Sequence, residues 1–457
     1  MIPLRRLRDV SGTTDLAWFQ PALDRLRALP REPDPRLRTF FSPDLPVYIA
    51  RAPGRLDVMG GIADYSGARV LELPLACSTV ALVQAPDQQT PHCDIATRRA
   101  ERWDLFSSEL PLAAPLDLAT WFRDHETDRW ASYVTGVVQA LLSRRTTTAG
   151  LRVLIDSTVP EGSGLASSAA LEVAVGAAVA ACAGIAISAT ELAIVCQTVE
   201  NHVVGAPCGI MDQMTSACGK QDRLLRLLCQ PGTIEGYNDI PAGFRFYGID
   251  SGVKHAVSGA DYGTVRTAAF MGHRIITAEA GWRGGYLTNL SPAEFARFAR
   301  CLPEEMSGAE FLASYGGISD TATAVLPERR YPVRRATQHP VDEQRRVDRF
   351  AELLGQLGKE PSAAEEMGRL MYGSHQSYGA CGLGSDATDR LVELVAAKGP
   401  RHGVFGAKIT GGGSGGTVAI FATSEAESIV REIAGDARVF AESGPGAAET
   451  GVLELRT

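Results

Sequence analysis

The stretch "LRVLIDSTVPEGSGLASSAALEVAVGAAVAACAGIAISA" (151–189) limits the fold more than any other part of the chain. It opens as an apolar, β-branched run, passes through a loop of glycine and serine, and continues as a long series of Ala, Val and Gly. A helix that is apolar on every side must be covered on every side, by lipid or by neighbouring elements. The small side chains and the carboxylate of Glu172 favour enclosure by other elements over a membrane span. A strand feeding directly into such a helix points to a layered α/β protein with the helix laid on a sheet.

At 457 residues the chain exceeds what one core usually supports, so two domains are expected. "VYIARAPG" reads as a short strand ended by Pro53 and Gly54, and "ARVLELPLACSTVALVQA" as further strand. "TELAIVCQTVENHVVG" has helical spacing and stops at Gly205 before Pro207. Beyond it, "FRFYGIDSGVKH" reads as strand, "SPAEFARFARCL" and "VDRFAELLGQLG" as helices, and "SDATDRLVELVAAKG" as a helix capped by Ser385 or Asp386. The expected division is an N-terminal extension at 1–45, one domain at 46–235 and a second at 236–457.

A formal net charge of -8 offers no general attraction for nucleic acid or an anionic membrane, so small molecules are the expected partners. The nine cysteines are scattered, with no C-x-x-C pair and no Cys/His cluster at zinc spacing, which fits reduced thiols in a cytoplasmic protein. "MIPLRRLRDV" is basic but has no apolar run behind it and does not read as a secretory signal.

Two glycine loops carry more information. "GGGSGG" (411–416) satisfies G-x-G-x-x-G, yet "TVAIFAT" after it reads as strand, where a dinucleotide site needs a helix. The same residues match the G-x-S-x-G of a hydrolase elbow around Ser414, but no histidine follows His402 to complete a triad. A glycine hairpin, or a backbone approaching a ligand closely, are the readings left. "PEGSGLASSAALEVA" (160–174) does run into a helix. Gly162 and Gly164 let backbone amides turn into one concavity, and Ser167 and Ser168 stand where free N–H groups favour an anion and a hydroxyl can reach a metal. An ordinary capped turn would need only one serine.

"RAPGRLDVMGGIADYSG" (51–67) sets Arg55, Asp57 and Asp64 around two adjacent glycines. Together with "PEGSGLASSAALE", "ENHVVGAPCGIMDQ" and "KITGGGSGG", in that order and at that spacing, it resembles the GHMP kinases, from about residue 46 to the C-terminus. Within that superfamily, "GADYG" and "SYGACGLGSD" are most similar to the kinase portion of plant L-arabinokinases. The resemblance implies a two-domain α/β GHMP kinase fold with mixed sheets and helices. Its active site would lie between an N-terminal ATP-binding domain and a C-terminal domain, with ATP and Mg2+ as cofactors.

Carried over position by position, the resemblance puts ATP phosphates on Gly162, Ser163, Gly164, Ala166, Ser167 and Ser168, and Mg2+ on Ser168 and Glu200. Asp212 would face the acceptor hydroxyl with Arg55 beside it, and Asp57 is left as structural. Asp64, Gly61, Ile62, Gly209 and Tyr262 fall at sugar-contacting positions. Gly411, Gly412, Gly413 and Ser414 would close over the site. Phosphoryl transfer needs alignment and positive charge more than covalent help, which suits this set, although an aspartate beside an arginine is a weak base. The bland reading of Arg55 and Asp212 is a plain ion pair.

In galactokinases Glu-His stands where this chain has Gly61 and Ile62, and that pair reaches the hydroxymethyl group of galactose. L-Arabinopyranose shares the ring stereochemistry and lacks that group, so the expected reaction is phosphorylation of L-arabinose at its anomeric hydroxyl. Another anomeric sugar kinase such as a galactokinase, or a non-catalytic regulator binding sugar and ATP, are the alternatives. No membrane or nucleic-acid partner is expected, and the chain is taken as a monomer or weak homodimer. "RWASYVTGV", with Trp130 and Tyr133, is a candidate adenine contact or simply helix core.

Overall fold

The computed structural model describes residues 4–7, 14–86, 92–99, 102–108, 117–143, 150–254, 260–360 and 362–456. Parts of the basic N-terminal stretch, and the first residue of "GADYG", lie outside them. The strands, in chain order, are β1 (Leu4–Leu7), β2 (Val47–Met59), β3 (Arg69–Gln84), β4 (Cys93–Arg99), β5 (Arg102–Ser108) and β6 (Leu151–Ser157). They continue as β7 (Arg223–Leu228), β8 (Thr233–Asp239), β9 (Phe244–Asp250), β10 (Met306–Ser307) and β11 (Arg330–Tyr331). The last are β12 (Val404–Ile409), β13 (Thr417–Thr423), β14 (Val439–Phe440) and β15 (Val452–Leu455).

Among the described residues, one sheet of nine strands runs β1-β15-β2-β3-β6-β4-β5, with β7 added to β3 and β8 to β7. A second sheet of four strands runs β12-β13-β9-β14. Residue 235 falls inside β8, and the chain passes to the second sheet only at Phe244. The C-terminal strand β15 returns to the first sheet, pairing antiparallel with β2 and parallel with β1. Residues within 1–45 cover the outer face of that sheet, where Phe19, Leu23 and Leu37 cluster with Ile49, Leu82, Leu154 and Leu453.

The strand read as ending at Pro53 and Gly54 instead continues to Met59. Register shifts between Pro53 and Arg55 and between Asp57 and Met59 absorb the irregular residues as bulges, which bend the strand and re-aim Arg55 and Asp57. The small-residue run forms the helix Ser167–Cys182, packed on β2 and β3 on one side and on the helices Ser132–Leu142, Ala189–Val199 and Met211–Cys218 elsewhere. Its face is buried almost all round, so the absence of an amphipathic pattern follows from its place in the core. No helix among the described residues is long and apolar enough to cross a membrane.

"TELAIVCQTVENHVVG" forms one α-helix and then a π-helical turn, Glu200–Val204, that ends at left-handed Gly205. Such a turn shifts the side-chain phase, and here it turns the Glu200 side chain inward. In the second half, the amphipathic helix Val333–Leu354 and the helix Ala363–Ala380 pack together, and the latter lies on β12. Ser385 caps the helix Asp386–Lys398 through a capping box.

Candidate active site

The bulge in β2 delivers Arg55 to the junction of the two sheets, where it is only 2% exposed. Its Nη2 lies 2.8 Å from Asp212 Oδ1, and its Nη1 donates to the Gly164 carbonyl at 2.6 Å. Its Nε donates to the same Asp212 oxygen at 3.0 Å and lies 3.3 Å from Glu72 Oε2. Burial opposes the guanidinium charge, but Asp212, Glu72 and Asp57 outweigh it and hold Arg55 charged. Glu72, buried beside Asp57, is pushed well above the ordinary carboxylate range. Asp212, in the first turn of the helix Met211–Cys218, remains 21% exposed and is the one member of this set with an open side.

The loop after β6 meets Arg55 from the other direction. Gly162, Gly164 and Ala166 all take positive φ, and Ala166, which carries a Cβ, precedes the helix Ser167–Cys182 without any side-chain cap. Among the described residues no side chain caps the first amides of this long helix at Ser167 and Ser168, while Ser163 is turned back onto the Pro160 carbonyl.

Across this loop runs the segment 411–416. A Cβ on Gly411 would stand 2.9 Å from the Gly164 carbonyl and 3.4 Å from Arg55 Nη2, and one on Gly416 2.9 Å from the Ser163 carbonyl. Two backbones thus cross in contact, pinned by Thr417 Oγ1 donating to Ser163 O at 2.8 Å, which is why a simple hairpin would not need so many glycines. Gly412 is half-buried and Gly413 buried in the same turn. Ser414, itself at positive φ, donates its amide to Leu383 O and its hydroxyl to Asp261, and so stiffens the loop.

Behind the helix start lies a group of buried polar side chains. Glu200 accepts from Gln213 Nε2 at 2.6 Å and from Cys208 Sγ at 3.6 Å; burial, with Asp212 adding to it, pushes its carboxyl up to about 7 against the nearby Ser168 hydroxyl, which favours the charged form. Glu172, reached by Gln213 Nε2 at 3.3 Å, is driven well above its ordinary range by burial and by Glu200. Among the described residues no group of three or more His, Cys, Asp and Glu could hold a metal by itself.

The 3-10 turn Gly61–Ser66 carries Asp64, 3% exposed, with no hydrogen bond of good geometry to either carboxylate oxygen among the described residues, the backbone of Tyr65 and Met211 offering it only weak support. Burial first, then the charge of Asp212, pushes Asp64 up to about 7, against the pull of Arg266. A Cβ on Gly209 would fall 1.7 Å from Asp64 Oδ2, so glycine there is what lets the two loops meet. Tyr262 closes the same region, its ring 5.8 Å from that of Tyr65.

Gly61 and Ile62 face elsewhere. Gly61 has φ +48, and a Cβ there would lie 1.7 Å from the Tyr378 hydroxyl. Ile62 is packed in a core cluster with Tyr65, Val265, Leu383 and Ile409. Its side chain is therefore part of the wall behind the turn, and what the turn can offer a ligand at this point is backbone. Trp130 and Tyr133 likewise pack against the core of the first sheet, Trp130 edge-on to Phe106.

Several residues at this site were not singled out by sequence reasoning. Arg266 forms a two-pronged pair with Asp320, both contacts 2.8 Å, and donates to the Cys208 carbonyl at 2.8 Å, holding the loop that carries Gly209. Its position one helical turn after Tyr262 was the available signal. Lys408 Nζ lies 2.6 Å from Asp57 Oδ2 with both side chains fully buried. Asp57 also accepts from the Gly61 amide at 3.1 Å, so it joins the first motif to the strand before the third. Nothing in the sequence pairs residues 57 and 408.

Residues 132–220 match the family model for the N-terminal domain of GHMP kinases, and residues 350–437 match that for their C-terminal domain. The sequence is 36% identical to an L-arabinokinase of Arabidopsis thaliana, covering 98% of this chain and 51% of that protein, so the chain spans about half the length of that relative. It is 33% identical to a galactokinase of Chloroflexus aurantiacus, covering 84% of this chain and 86% of that one. The crystal structure of Lactococcus lactis galactokinase complexed with galactose has the same fold, with a TM-score of 0.71 at 20% identity over 88% of this chain and 94% of that one. Both domains are matched in order and a galactokinase is matched over most of its length, so the chain belongs to the GHMP kinases.

Proposed function

We propose that this chain transfers the γ-phosphoryl group of ATP to the anomeric hydroxyl of L-arabinose, giving β-L-arabinose 1-phosphate. The observation that carries the reading is the buried Arg55–Asp212 pair, open on the Asp212 side, standing between the uncapped start of the helix Ser167–Cys182 and the buried carboxylate of Asp64, whose oxygens have no hydrogen bond of good geometry among the described residues. Uncapped helix amides and glycine backbone suit phosphates. A buried carboxylate so placed suits the hydroxyls of a sugar.

In this reading Asp64 and the backbone around Gly209 hold the sugar, and Asp212 orients the anomeric hydroxyl. That oxygen attacks the γ-phosphorus as the bond to ADP breaks, and its proton passes to Asp212 or to water. Arg55 holds Asp212 through two contacts to one carboxylate oxygen, so alignment is the main contribution assigned to that carboxylate. Arg55 also lies where charge develops on the moving phosphoryl group. Ser168 and Glu200 would hold Mg2+, which neutralises phosphate charge when bound with ATP. One buried carboxylate with one hydroxyl near it fits an ion that takes its other ligands from phosphates and water.

The similarity to the Arabidopsis L-arabinokinase supports the choice of sugar, and so does the turn at Gly61. A Cβ at 61 would meet the Tyr378 hydroxyl rather than a ligand, so the turn offers backbone and no acid to a sixth-carbon hydroxyl. All nine cysteines are free thiols, in keeping with a cytoplasmic protein. Steady-state kinetics with ATP and Mg2+ across a panel of sugars tests the reading. Turnover of D-galactose at least as efficient as that of L-arabinose would overturn the sugar assignment, and no turnover of any sugar would favour a non-catalytic regulator.

A further inference from the structure

Tyr378, fully buried on the helix Ala363–Ala380, joins two loops that are far apart in the chain. Its hydroxyl accepts from the Ile62 amide at 2.8 Å and donates to the Gly411 carbonyl at 3.1 Å. Its ring carries the Lys408 ammonium 5.4 Å from the centroid, and Lys408 in turn binds Asp57, which accepts the Gly61 amide. The two amides that open the turn Gly61–Ser66 are therefore both held by side chains of one connected network. The hydroxyl also occupies the space a Cβ at position 61 would need, 1.7 Å away.

We propose that Tyr378 is a positioning residue for the acceptor sugar. It sets the turn Gly61–Ser66, and with it Asp64, against the Gly411 loop, and it keeps side chains out of that end of the site. The inference rests on the reading of the site as that of a sugar kinase. It separates sugar from nucleotide, because the loop 162–168 is held by Arg55 and Thr417 rather than by Tyr378.

Tyr378→Phe keeps the ring and removes both hydrogen bonds. The KM for L-arabinose should rise about tenfold, the loss expected for backbone hydrogen bonds of ordinary strength, with the KM for ATP changed less than about twofold. Gly61→Ala, which presses on the same hydroxyl from the other side, should show the same sugar-selective loss in the wild-type background. It should cost several-fold less in the Tyr378→Phe background, where the nearest clashing atom is gone. Equal rises in both KM values, a lowered Tm with both KM values unchanged, or strictly additive losses in the double variant would each overturn the proposal. If the wild-type protein prefers another sugar, the same split is read with that sugar. If it turns over none, the function proposed above fails by itself, and the split is read from sugar and ATP affinities by calorimetry.

Discussion

Asp64 makes a prediction in which stability and function move in opposite directions. Its carboxyl is buried, without a hydrogen bond of good geometry among the described residues, and pushed up to about 7 mainly by burial. The native chain therefore keeps a proton on Asp64 up to about pH 7, whereas the unfolded chain releases it near 4. In that window the native state binds more protons, so this group lowers stability as pH rises, and the loss is complete above the native pKa. At roughly 1.4 kcal/mol per unit, the two units between pH 5 and about 7 amount to roughly 3 kcal/mol. Asp64→Asn has nearly the same shape and no charge to bury. Measured by urea unfolding without ligands, the variant should gain about 3 kcal/mol relative to wild type between pH 5 and pH 8. Its L-arabinose affinity, measured by calorimetry, should fall at least about tenfold. A stability difference that is flat across this range, or that moves against the variant, would refute the reasoning that Asp64 is a buried acid whose ionisation costs stability and which is retained for its ligand.

Asp212→Asn should lower kcat at least about a hundredfold while leaving both KM values within a few-fold, since it removes alignment and proton acceptance but little binding. Retained activity would remove Asp212 from its proposed role. Lys408→Met leaves the Asp57 carboxylate buried without its cation and should destabilise the protein by about 3–5 kcal/mol in urea unfolding. A loss under about 1 kcal/mol would show that the amides of Gly61 and Gly411 are enough for Asp57.

The strand, glycine loop and small-residue helix at 151–189 were readable because each rests on local chemistry: β-branching, positive φ and all-round burial. The capped helix after Ser385 was legible for the same reason. β2 was cut short because Pro53 and Gly54 signal a stop locally, while pairing with β3 on one side carries the strand through them as a bulge. The long helices Ala260–Ala280 and Ala363–Ala380 were missed, their interrupted apolar spacing being set by neighbours distant in sequence. At the site, the motifs located Arg55, Asp64, Gly209 and Asp212, which the fold brings together. The reading of Gly61 and Ile62 changed most. In sequence Gly61 marks the place of a missing sugar ligand, but its first requirement is the Tyr378 hydroxyl, a partner 317 positions later that no local pattern reveals.

The proposed reaction moves a phosphoryl group to one particular oxygen of one sugar. Purified protein incubated with ATP, Mg2+ and L-arabinose should yield a product whose phosphorus couples to the anomeric proton in 31P NMR, with the β configuration. A phosphorus coupled to any other ring proton, or no phosphorylated pentose under conditions where D-galactose is consumed, would contradict the account.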